Sequence, residues 1–260
     1  MAGPSQAELP LQIVKFSKLF TYQMNNYIII GAAGGIGSQL VADLQSKGSN
    51  LLLGYHKSLP KTLDEESLQS APVDATSFDH TLEFISSAKD KLGEIHGIVS
   101  LPGSINLKPP HLISDEEFDS IIAKNLKSAF SVIRAVGRVL KNTSVVLMST
   151  AAARLGLTNH EAIVAGKAGV EAMVRSASVT YARKSLRFNA VAPGLVDTPL
   201  SSSIVNNPNS LEYSKGLHIA GRIGEPKDIS NMIQFLISPE NSWITGQTFT
   251  VDGGLSSVKK

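Results

Sequence analysis

Short apolar runs alternate with longer amphipathic segments along most of the chain. The runs are rich in leucine and β-branched residues, as is typical of strands buried on both faces, and they cover residues 27–30, 50–55, 95–101, 144–149, 186–192 and 247–251. Between them, apolar residues recur at helical spacing in residues 36–47, 78–92, 115–140, about 160–184, and 227–237. Because parallel strands need crossover helices, this alternation predicts an α/β fold with a doubly wound parallel sheet and helices on both faces.

The patterned part of the chain begins at Tyr27. Residues 1–26 carry no helix caps, and we interpret them as an N-terminal extension of uncertain origin to which we assign no function. No repeat, low-complexity tract or Pro/Gly linker divides residues 27–260, so we expect a single domain. Within it, residues 200–221 contain three consecutive serines and Asn206-Asn207-Pro208-Asn209, which indicate a mobile insertion.

Composition and charge narrow the classes of function. The 260 residues are 42% hydrophobic and 18% charged, which is the composition of a globular protein. Lysine and arginine total 24 against 22 aspartate and glutamate residues, so the chain lacks the cationic excess suited to nucleic acid. No apolar run approaches the roughly 20 residues that span a bilayer. We therefore expect a cytoplasmic protein that binds neither nucleic acid nor membrane.

Metal and thiol chemistry are not expected. The chain has no cysteine, which excludes disulfides, thiolate metal sites and a cysteine nucleophile. Its six histidines show no His-x-x-x-His spacing, which would place two metal ligands on one face of a helix. The sequence therefore predicts no metal site.

A glycine-rich turn follows the first predicted strand, in the sequence Gly31-Ala32-Ala33-Gly34-Gly35-Ile36-Gly37. Such a turn brings the backbone against a pyrophosphate at a helix N-terminus. A side chain at Gly31, Gly35 or Gly37 would block the turn, the ligand or the packing of the helix. The turn, with Ile36 at the start of the helix, predicts a dinucleotide site.

The spacing Gly-x-x-x-Gly-x-Gly resembles that of the short-chain dehydrogenase/reductase family, and further matches cover nearly everything after Met24. The resemblance implies a seven-stranded Rossmann sheet, a nicotinamide cofactor and a small-molecule substrate. It assigns the adenine contact to Asp74 and matches the family's helical asparagine to Asn125. Other cofactor contacts that it implies fall on Gly103, Pro193, Gly194 and Thr198.

The choice of nicotinamide cofactor depends on the end of the second predicted strand. A carboxylate there would bind a ribose 2′-hydroxyl, whereas a cation would neutralise a 2′-phosphate. The chain has Tyr55, His56, Lys57 and Ser58 at this point and no acid. His56 and Lys57 are therefore predicted to face a phosphate, and NADP(H) is predicted to be preferred over NAD(H).

The resemblance also implies a catalytic Tyr-x-x-x-Lys motif and a serine thirteen residues before the tyrosine. Here the lysine is Lys167, the tyrosine position holds Ile163, and the serine position holds Thr150. Thr150 keeps a hydroxyl that can donate to a substrate oxygen, Lys167 would hold the nicotinamide ribose, and Asn125 would hold a water. Ile163 has no proton to give, so the proton-donor site is predicted to be altered.

His160 is the candidate for the missing proton donor. Thr158-x-x-Glu161 reads as a capping box that starts a helix near Asn159 and places His160 in its first turn, on one stripe with Ile163 and Lys167. The helix N-terminus would favour a neutral imidazole acting as a hydrogen-bond donor. The alternative is an exposed histidine beside a helix cap.

Three functions remain open from the sequence. The first is an NADP(H)-dependent reductase of a carbonyl, and the second is a reductase of an activated C=C bond, similar to enoyl-thioester reductases. The third is a non-catalytic NADP(H)-binding sensor or partner protein. In each case the resemblance implies a homodimer or homotetramer, formed through residues 121–140 and the helix around residues 165–169, whose small side chains indicate close helix packing.

Overall fold

The computed structural model describes residues 24–57 and 69–258, and these residues form a seven-stranded parallel sheet. The strands are β1 (Asn26–Ile30), β2 (Asn50–Tyr55), β3 (Gln69–Pro72), β4 (Gly97–Ser100), β5 (Ser144–Met148), β6 (Arg187–Pro193) and β7 (Thr248–Val251). Their order is β3-β2-β1-β4-β5-β6-β7. The predicted doubly wound sheet is thus confirmed. Strand order reverses between β1 and β4, which opens a crevice at their carboxyl ends.

Helices cover both faces of this sheet. They are α1 (Gly35–Gln45), α2 (Phe78–Leu92), α3 (Asp115–Ile122), α4 (Ser128–Val139), α5 (Glu161–Thr180), α6 (Ser202–Val205), α7 (Pro208–Leu217) and α8 (Pro226–Ile237). Side chains of α2, α4 and α5 pack on one face around Phe188, and side chains of α1 and α8 pack on the other around Ile29. Strands β1, β2, β4, β5 and β6 are buried on both faces, which explains their largely apolar sequences, whereas β3 at the edge is mostly exposed.

The predicted helix over residues 115–140 is interrupted. A π-helical turn, Ala123–Lys127, separates α3 from α4. In this turn the side-chain nitrogen of Asn125 donates to the Ile121 carbonyl oxygen at 3.0 Å. A Cβ atom at Gly166 would lie 3.2 Å from the Asn125 Cβ, and one at Gly169 would lie 2.7 Å from the Leu126 Cδ1. The predicted close packing of the small residues of α5 is therefore confirmed, and it is made against this turn of the same chain.

The predicted capping box at Thr158 is wrong. Asn159 adopts a left-handed conformation, with φ at 64°, which is incompatible with a position in the helix. The N-cap position of α5 is His160, which makes no side-chain capping bond, and the helix begins at Glu161. His160 therefore precedes the first turn of the helix instead of lying within it.

Residues 200–221, expected to be a mobile insertion, are largely helical. Pro208 occupies the first turn of α7, and the Asn207 side chain accepts a hydrogen bond from the Ser210 amide. Asparagine followed by proline is a helix-start signal, which the sequence analysis interpreted as a turn.

Residues 1–23 of the predicted extension lie outside the described residues, whereas Asn26 belongs to β1. Within the described part of the chain, no helix is long and apolar enough to cross a membrane.

Candidate active site

A cleft at the carboxyl ends of β1, β4, β5 and β6 brings most of the predicted site residues together. Its walls include eleven of them: Gly31, Gly35, Ile36, Gly37, Gly103, Asn125, Thr150, Lys167, Pro193, Gly194 and Thr198. His160 lies in an adjoining cavity that shares Thr150 and Ile163 with the cleft. His56, Lys57 and Asp74 line neither space.

The glycine turn has the geometry of a phosphate cradle. Gly31 has φ at +88°, a left-handed conformation that favours glycine. A Cβ at Gly37 would lie 2.3 Å from the Gly31 carbonyl oxygen, and one at Gly35 would lie 2.8 Å from the Thr198 Cγ2. No side chain caps the N-terminus of α1, and its first turn carries no acidic residue. The first N–H groups of α1 thus suit an anion, and the residues present fit a dinucleotide pyrophosphate.

Lys167 is buried, with 7% of its surface exposed, on the face of α5 that meets β5. Its Nζ donates a hydrogen bond to the Met148 carbonyl oxygen at 3.0 Å. Burial lowers the pKa of the Lys167 ammonium to about 8. A Cβ at Gly103 would lie 3.3 Å from this Nζ, so the glycine keeps the ammonium accessible from the cleft.

Asn125 is almost fully buried and connects the π-helical turn to the segment after β4. Its side-chain nitrogen lies 3.0 Å from the Ser104 hydroxyl oxygen, and its Oδ1 accepts from the Ser104 amide at 3.2 Å. With its bond to Ile121, both N–H groups are used within the protein. Its Oδ1 retains one free lone pair. This oxygen is therefore the atom that remains available to accept a hydrogen bond from the expected water.

Thr150 follows β5 and lines both the cleft and the adjoining cavity. The Thr150 Oγ1 accepts a hydrogen bond from the Ala152 amide at 3.3 Å, which leaves its O–H free to donate. The Ser149 hydroxyl donates to the buried Glu171 carboxylate at 2.8 Å. Arg154 contacts the same carboxylate at 3.3 Å, so this network anchors the segment that carries Thr150.

Ile163 is 7% exposed and forms part of the wall between the cleft and the adjoining cavity. In that cavity the His160 Nδ1 lies 2.8 Å from the Thr158 carbonyl oxygen. A carbonyl oxygen only accepts, so Nδ1 carries the hydrogen, and Nε2 of the neutral ring is an acceptor. In this tautomer the neutral ring therefore lacks the predicted hydrogen-bond donor at Nε2. Nε2 donates only when the ring is an imidazolium.

The residues predicted to distinguish the cofactors lie at the carboxyl ends of the neighbouring strands. His56 and Lys57 follow β2 and are exposed, and Ser58 lies outside the described residues. Asp74 follows β3, and its Oδ1 accepts hydrogen bonds from the Thr76 amide and hydroxyl. These bonds and the nearby His56 lower the pKa of the Asp74 carboxyl, so it is ionised at neutral pH.

His218 is a site residue that the sequence analysis missed. It is 2% exposed, its Nδ1 donates to the Ser214 carbonyl oxygen at 2.7 Å, and its Nε2 accepts from the Leu195 amide at 3.2 Å. A Cβ at Gly194 would lie 2.6 Å from that Nε2. No local pattern around His218 signals this contact, because its partner Leu195 is 23 residues away.

Comparison with known proteins yields consistent matches over most of the chain. A family model described as Enoyl-(Acyl carrier protein) reductase matches residues 31–256. The chain is 28% identical over 248 residues to hydroxynaphthalene reductase-like protein Arp2 of Metarhizium anisopliae, covering 87% of this chain and 93% of that protein. It is 29% identical over 238 residues to 3-oxoacyl-[acyl-carrier-protein] reductase FabG of Thermotoga maritima, covering 88% and 96%. A short-chain type dehydrogenase/reductase structure from Mycobacterium ulcerans superposes with a TM-score of 0.81 at 25% identity, covering 89% and 90%.

Proposed function

Because the chain belongs to the short-chain dehydrogenase/reductase family of oxidoreductases, we propose that it is an NADP(H)-dependent reductase of a carbonyl compound. The observation that carries the proposal is one cleft in which a glycine phosphate cradle, the buried Lys167 and the Thr150 hydroxyl meet. In this proposal the cradle binds the dinucleotide, Lys167 binds its nicotinamide ribose, and the Thr150 hydroxyl donates to the substrate oxygen.

The residues of the cleft supply the contacts of a nicotinamide dinucleotide. The first turn of α1 and the glycines Gly31, Gly35 and Gly37 take the pyrophosphate. Lys167 binds the nicotinamide ribose, and Gly103, Pro193, Gly194 and Thr198 line the rest of the cleft. Among the described residues, hydrogen bonds to Asp74 are made at its Oδ1, and its Oδ2 is proposed to accept from the adenine amino group.

The end of β2 supports NADP(H) as the cofactor. His56 and Lys57 are exposed there, and neither forms an ion pair within the described residues. A 2′-phosphate gains charge-assisted hydrogen bonds from such groups, whereas a 2′-hydroxyl lacks the carboxylate that binds it.

The residues around Thr150 organise the carbonyl. The bound cofactor supplies the hydride. The Thr150 hydroxyl donates to the substrate oxygen, and the Asn125 Oδ1 holds a water behind it. Negative charge develops on that oxygen in the transition state, where a fixed donor is most effective. The proton comes from the His160 imidazolium or from water, because Ile163 has none to give.

A second candidate is reduction of an activated C=C bond. The aliphatic Ile163 favours it, because an enolate needs stabilisation by a donor such as Thr150 more than immediate protonation by a phenol. The description of the matching family model as an enoyl reductase agrees with it. The two candidates share the cofactor and the cleft and differ in the bond reduced.

Cofactor preference is tested by thermal shift with NADPH and NADH. We expect a larger stabilisation by NADPH, and we expect Lys57→Glu to reduce NADPH affinity about 10-fold, since one charge-assisted contact to phosphate is replaced by repulsion. The matched control is Lys141→Glu, which changes an exposed lysine beyond the amino ends of the strands. Equal shifts with the two cofactors would contradict the preference.

The reaction is tested by NADPH oxidation with a panel of ketones, aldehydes and enoyl thioesters. Turnover of ketones or aldehydes supports the carbonyl reductase, and turnover of enoyl thioesters alone supports the second candidate. If no compound is reduced by the native protein but Ile163→Tyr creates activity, the protein is a non-catalytic NADP(H)-binding protein.

We also propose a cytoplasmic homodimer or homotetramer. The outer faces of α4 and α5 support a helical interface, because Phe130 is 52% exposed and Val179 is 79% exposed on them. Light scattering should give a dimeric or tetrameric mass for the native protein, and Phe130→Glu should lower it. A monomeric native protein would exclude this assembly.

A further inference from the structure

The cavity beside the cleft has a composition that restricts the substrate. It encloses about 330 Å³, at the lower end of the range for sites that bind small organic molecules. Its walls come from the residues after β4, the connection between β5 and α5 with the first turn of α5, the end of β6, helices α6 and α7, and the segment after β7. It opens beside Thr150 and Ile163, so a molecule in it reaches the Thr150 hydroxyl.

Apolar side chains make up most of these walls: Ile105, Leu107, Ala152, Leu157, Ile163, Pro193, Leu195, Ile204, Leu217 and Leu255. No lysine, arginine, aspartate or glutamate is among the described residues that line the cavity. A charged substrate group would lose its hydration there without meeting a permanently charged side chain among the described residues. The cavity therefore selects against carboxylates, phosphates and ammonium groups.

The polar side chains of the cavity offer few strong contacts. Both ring nitrogens of His218 are used within the protein, and the Nδ1 of His160 is bound to Thr158. The hydroxyls of Ser210, Tyr213 and Ser214 on α7 have no hydrogen-bond partner in the described structure. They accommodate one neutral polar substituent opposite Thr150, whereas a polyol would place further hydroxyls against leucine and isoleucine.

From this arrangement we infer that the substrate is a small, uncharged compound with a largely apolar body, whose reducible group points at Thr150. The inference rests on the proposed function for the identity of the reacting group. The selection against charge follows from the cavity walls alone. It predicts that a carboxylate is rejected wherever it is attached to the body of the substrate.

The test compares a neutral compound with a charged one of the same skeleton. Methyl 4-oxocyclohexane-1-carboxylate and 4-oxocyclohexane-1-carboxylate form one such pair, and further ester and acid pairs vary the ring size. With NADPH, we expect kcat/KM for the ester to exceed that for the acid by at least about 30-fold. A preference for the acids, or for polyhydroxy ketones over the esters, would overturn the inference.

Leu217→Arg places a cation in the cavity wall on α7 and should raise kcat/KM for the acid at least about 10-fold while lowering it for the ester. Leu211→Arg is the matched control, because Leu211 lies on the same helix, is half-buried and does not line the cavity. Equal responses of the two variants would contradict the assignment of the cavity as the substrate site.

A binding measurement separates this inference from the proposed function. Binding of each ester and acid is followed by ligand-observed NMR, with and without NADPH, so that it does not depend on turnover. Esters that bind while NADPH does not would reject the proposed function and retain the inference. NADPH binding together with acids that bind as well as the esters, or with no ester that binds at millimolar concentration, would reject the inference and retain the cofactor assignment.

Discussion

The imidazole of His218 accepts a hydrogen bond from the Leu195 amide, with 3.2 Å between Nε2 and the backbone nitrogen. The other ring nitrogen donates to the Ser214 carbonyl oxygen on α7. One buried ring thus connects a helix of the adjoining cavity to the segment that follows Pro193 and Gly194 in the wall of the cleft. Because the ring has one donor and one acceptor in use, the neutral Nδ1–H tautomer fits both bonds.

His218→Ala should therefore weaken cofactor binding even though His218 is outside the predicted cofactor contacts. The variant leaves the Leu195 amide and the Ser214 carbonyl without a partner, and we expect the Kd for NADPH to rise about 10-fold, which corresponds to about 1.4 kcal/mol. His218→Gln, which offers both a donor and an acceptor, should restore most of the affinity. The exposed His111→Ala is the control. An unchanged Kd in His218→Ala would show that the connection has no role in cofactor binding.

Lys167→Met should stabilise the cofactor-free protein at pH 7. Burial lowers the pKa of Lys167 from 10.5 to about 8, so folding carries the cost of a buried ammonium, up to about 3 kcal/mol. The unfolded chain binds more protons between about pH 8 and 10.5, so wild-type stability rises over this window. Urea unfolding at pH 7 and pH 10.5 measures the effect, and a stability difference that does not shrink at the higher pH would contradict it.

The same variant should bind NADPH more weakly, because the methionine cannot hydrogen-bond the ribose hydroxyls. Titration of the two proteins with NADPH by fluorescence measures this loss. Greater stability combined with weaker binding would identify the ammonium as a group retained for its ligand. Unchanged affinity would remove Lys167 from the cofactor site.

Gly35→Ala should fold but bind NADPH at least about 10-fold more weakly, since its Cβ would lie 2.8 Å from the Thr198 Cγ2, across the cleft. Gly37→Ala should destabilise the protein more strongly, because its Cβ would lie 2.3 Å from a backbone oxygen, which cannot move aside as a side chain does. Thermal unfolding and NADPH titration measure the two effects. The control is Gly156→Ala, at a glycine with open space around it, and similar behaviour of the three variants would exclude a special role for the turn.

Asp43→Asn should lower the free energy of unfolding at pH 7 by about 1–3 kcal/mol. The Asp43 carboxylate joins α1 to α8 by accepting from Lys227 and Ser230, both at 2.6 Å. Burial tends to raise the pKa of Asp43, but these hydrogen bonds outweigh it, and the net pKa is lowered. The stability from Asp43 is thus present above the ordinary carboxyl pKa and is lost as the pH falls through the lowered one.

Urea unfolding of Asp43→Asn and the native protein at pH 7 and at pH 3 measures this contribution. The difference between the two proteins should shrink at the lower pH, where protonation removes the native carboxylate. Asp90→Asn, at an exposed acid without an ion pair in the described structure, should match the native protein at both values. A difference that is independent of pH would attribute the effect to packing.

His160→Phe should lower turnover about 10- to 100-fold, because the substitution removes the ring nitrogen Nε2 that is proposed to deliver the proton. The other ring nitrogen, Nδ1, is already hydrogen-bonded to the Thr158 carbonyl oxygen. Cofactor affinity should stay unchanged, because His160 does not line the cofactor cleft. Unchanged turnover would assign the proton to water.

The sequence by itself determined six of the seven strands, most of the helices between them and the glycine turn that is proposed to bind the cofactor, but it missed β3, whose residues Gln69–Pro72 form no apolar run, and helices α6 and α7. Unbroken apolar runs that alternate with amphipathic helices are typical of parallel strands between two helical layers, and a helix preceded by closely spaced glycines offers free N–H groups to an anion. The eleven cleft residues were predictable because each lies in a local motif or at a fixed spacing from one. Ile163 was identified in the same way, by its position four residues before Lys167.

Tertiary structure alone decided the contacts between segments that are distant in the chain. The His218 bond to Leu195, the burial of Lys167 and the apolar walls of the cavity beside the cleft each depend on side chains brought together by packing. The hydrogen on the His160 Nδ1 depends on one backbone turn at Asn159, whose left-handed conformation the capping-box pattern did not reveal. Local sequence specifies an element through short-range sterics and periodicity, whereas burial, protonation and hydrogen-bond partners are set by whichever residues the fold places nearby.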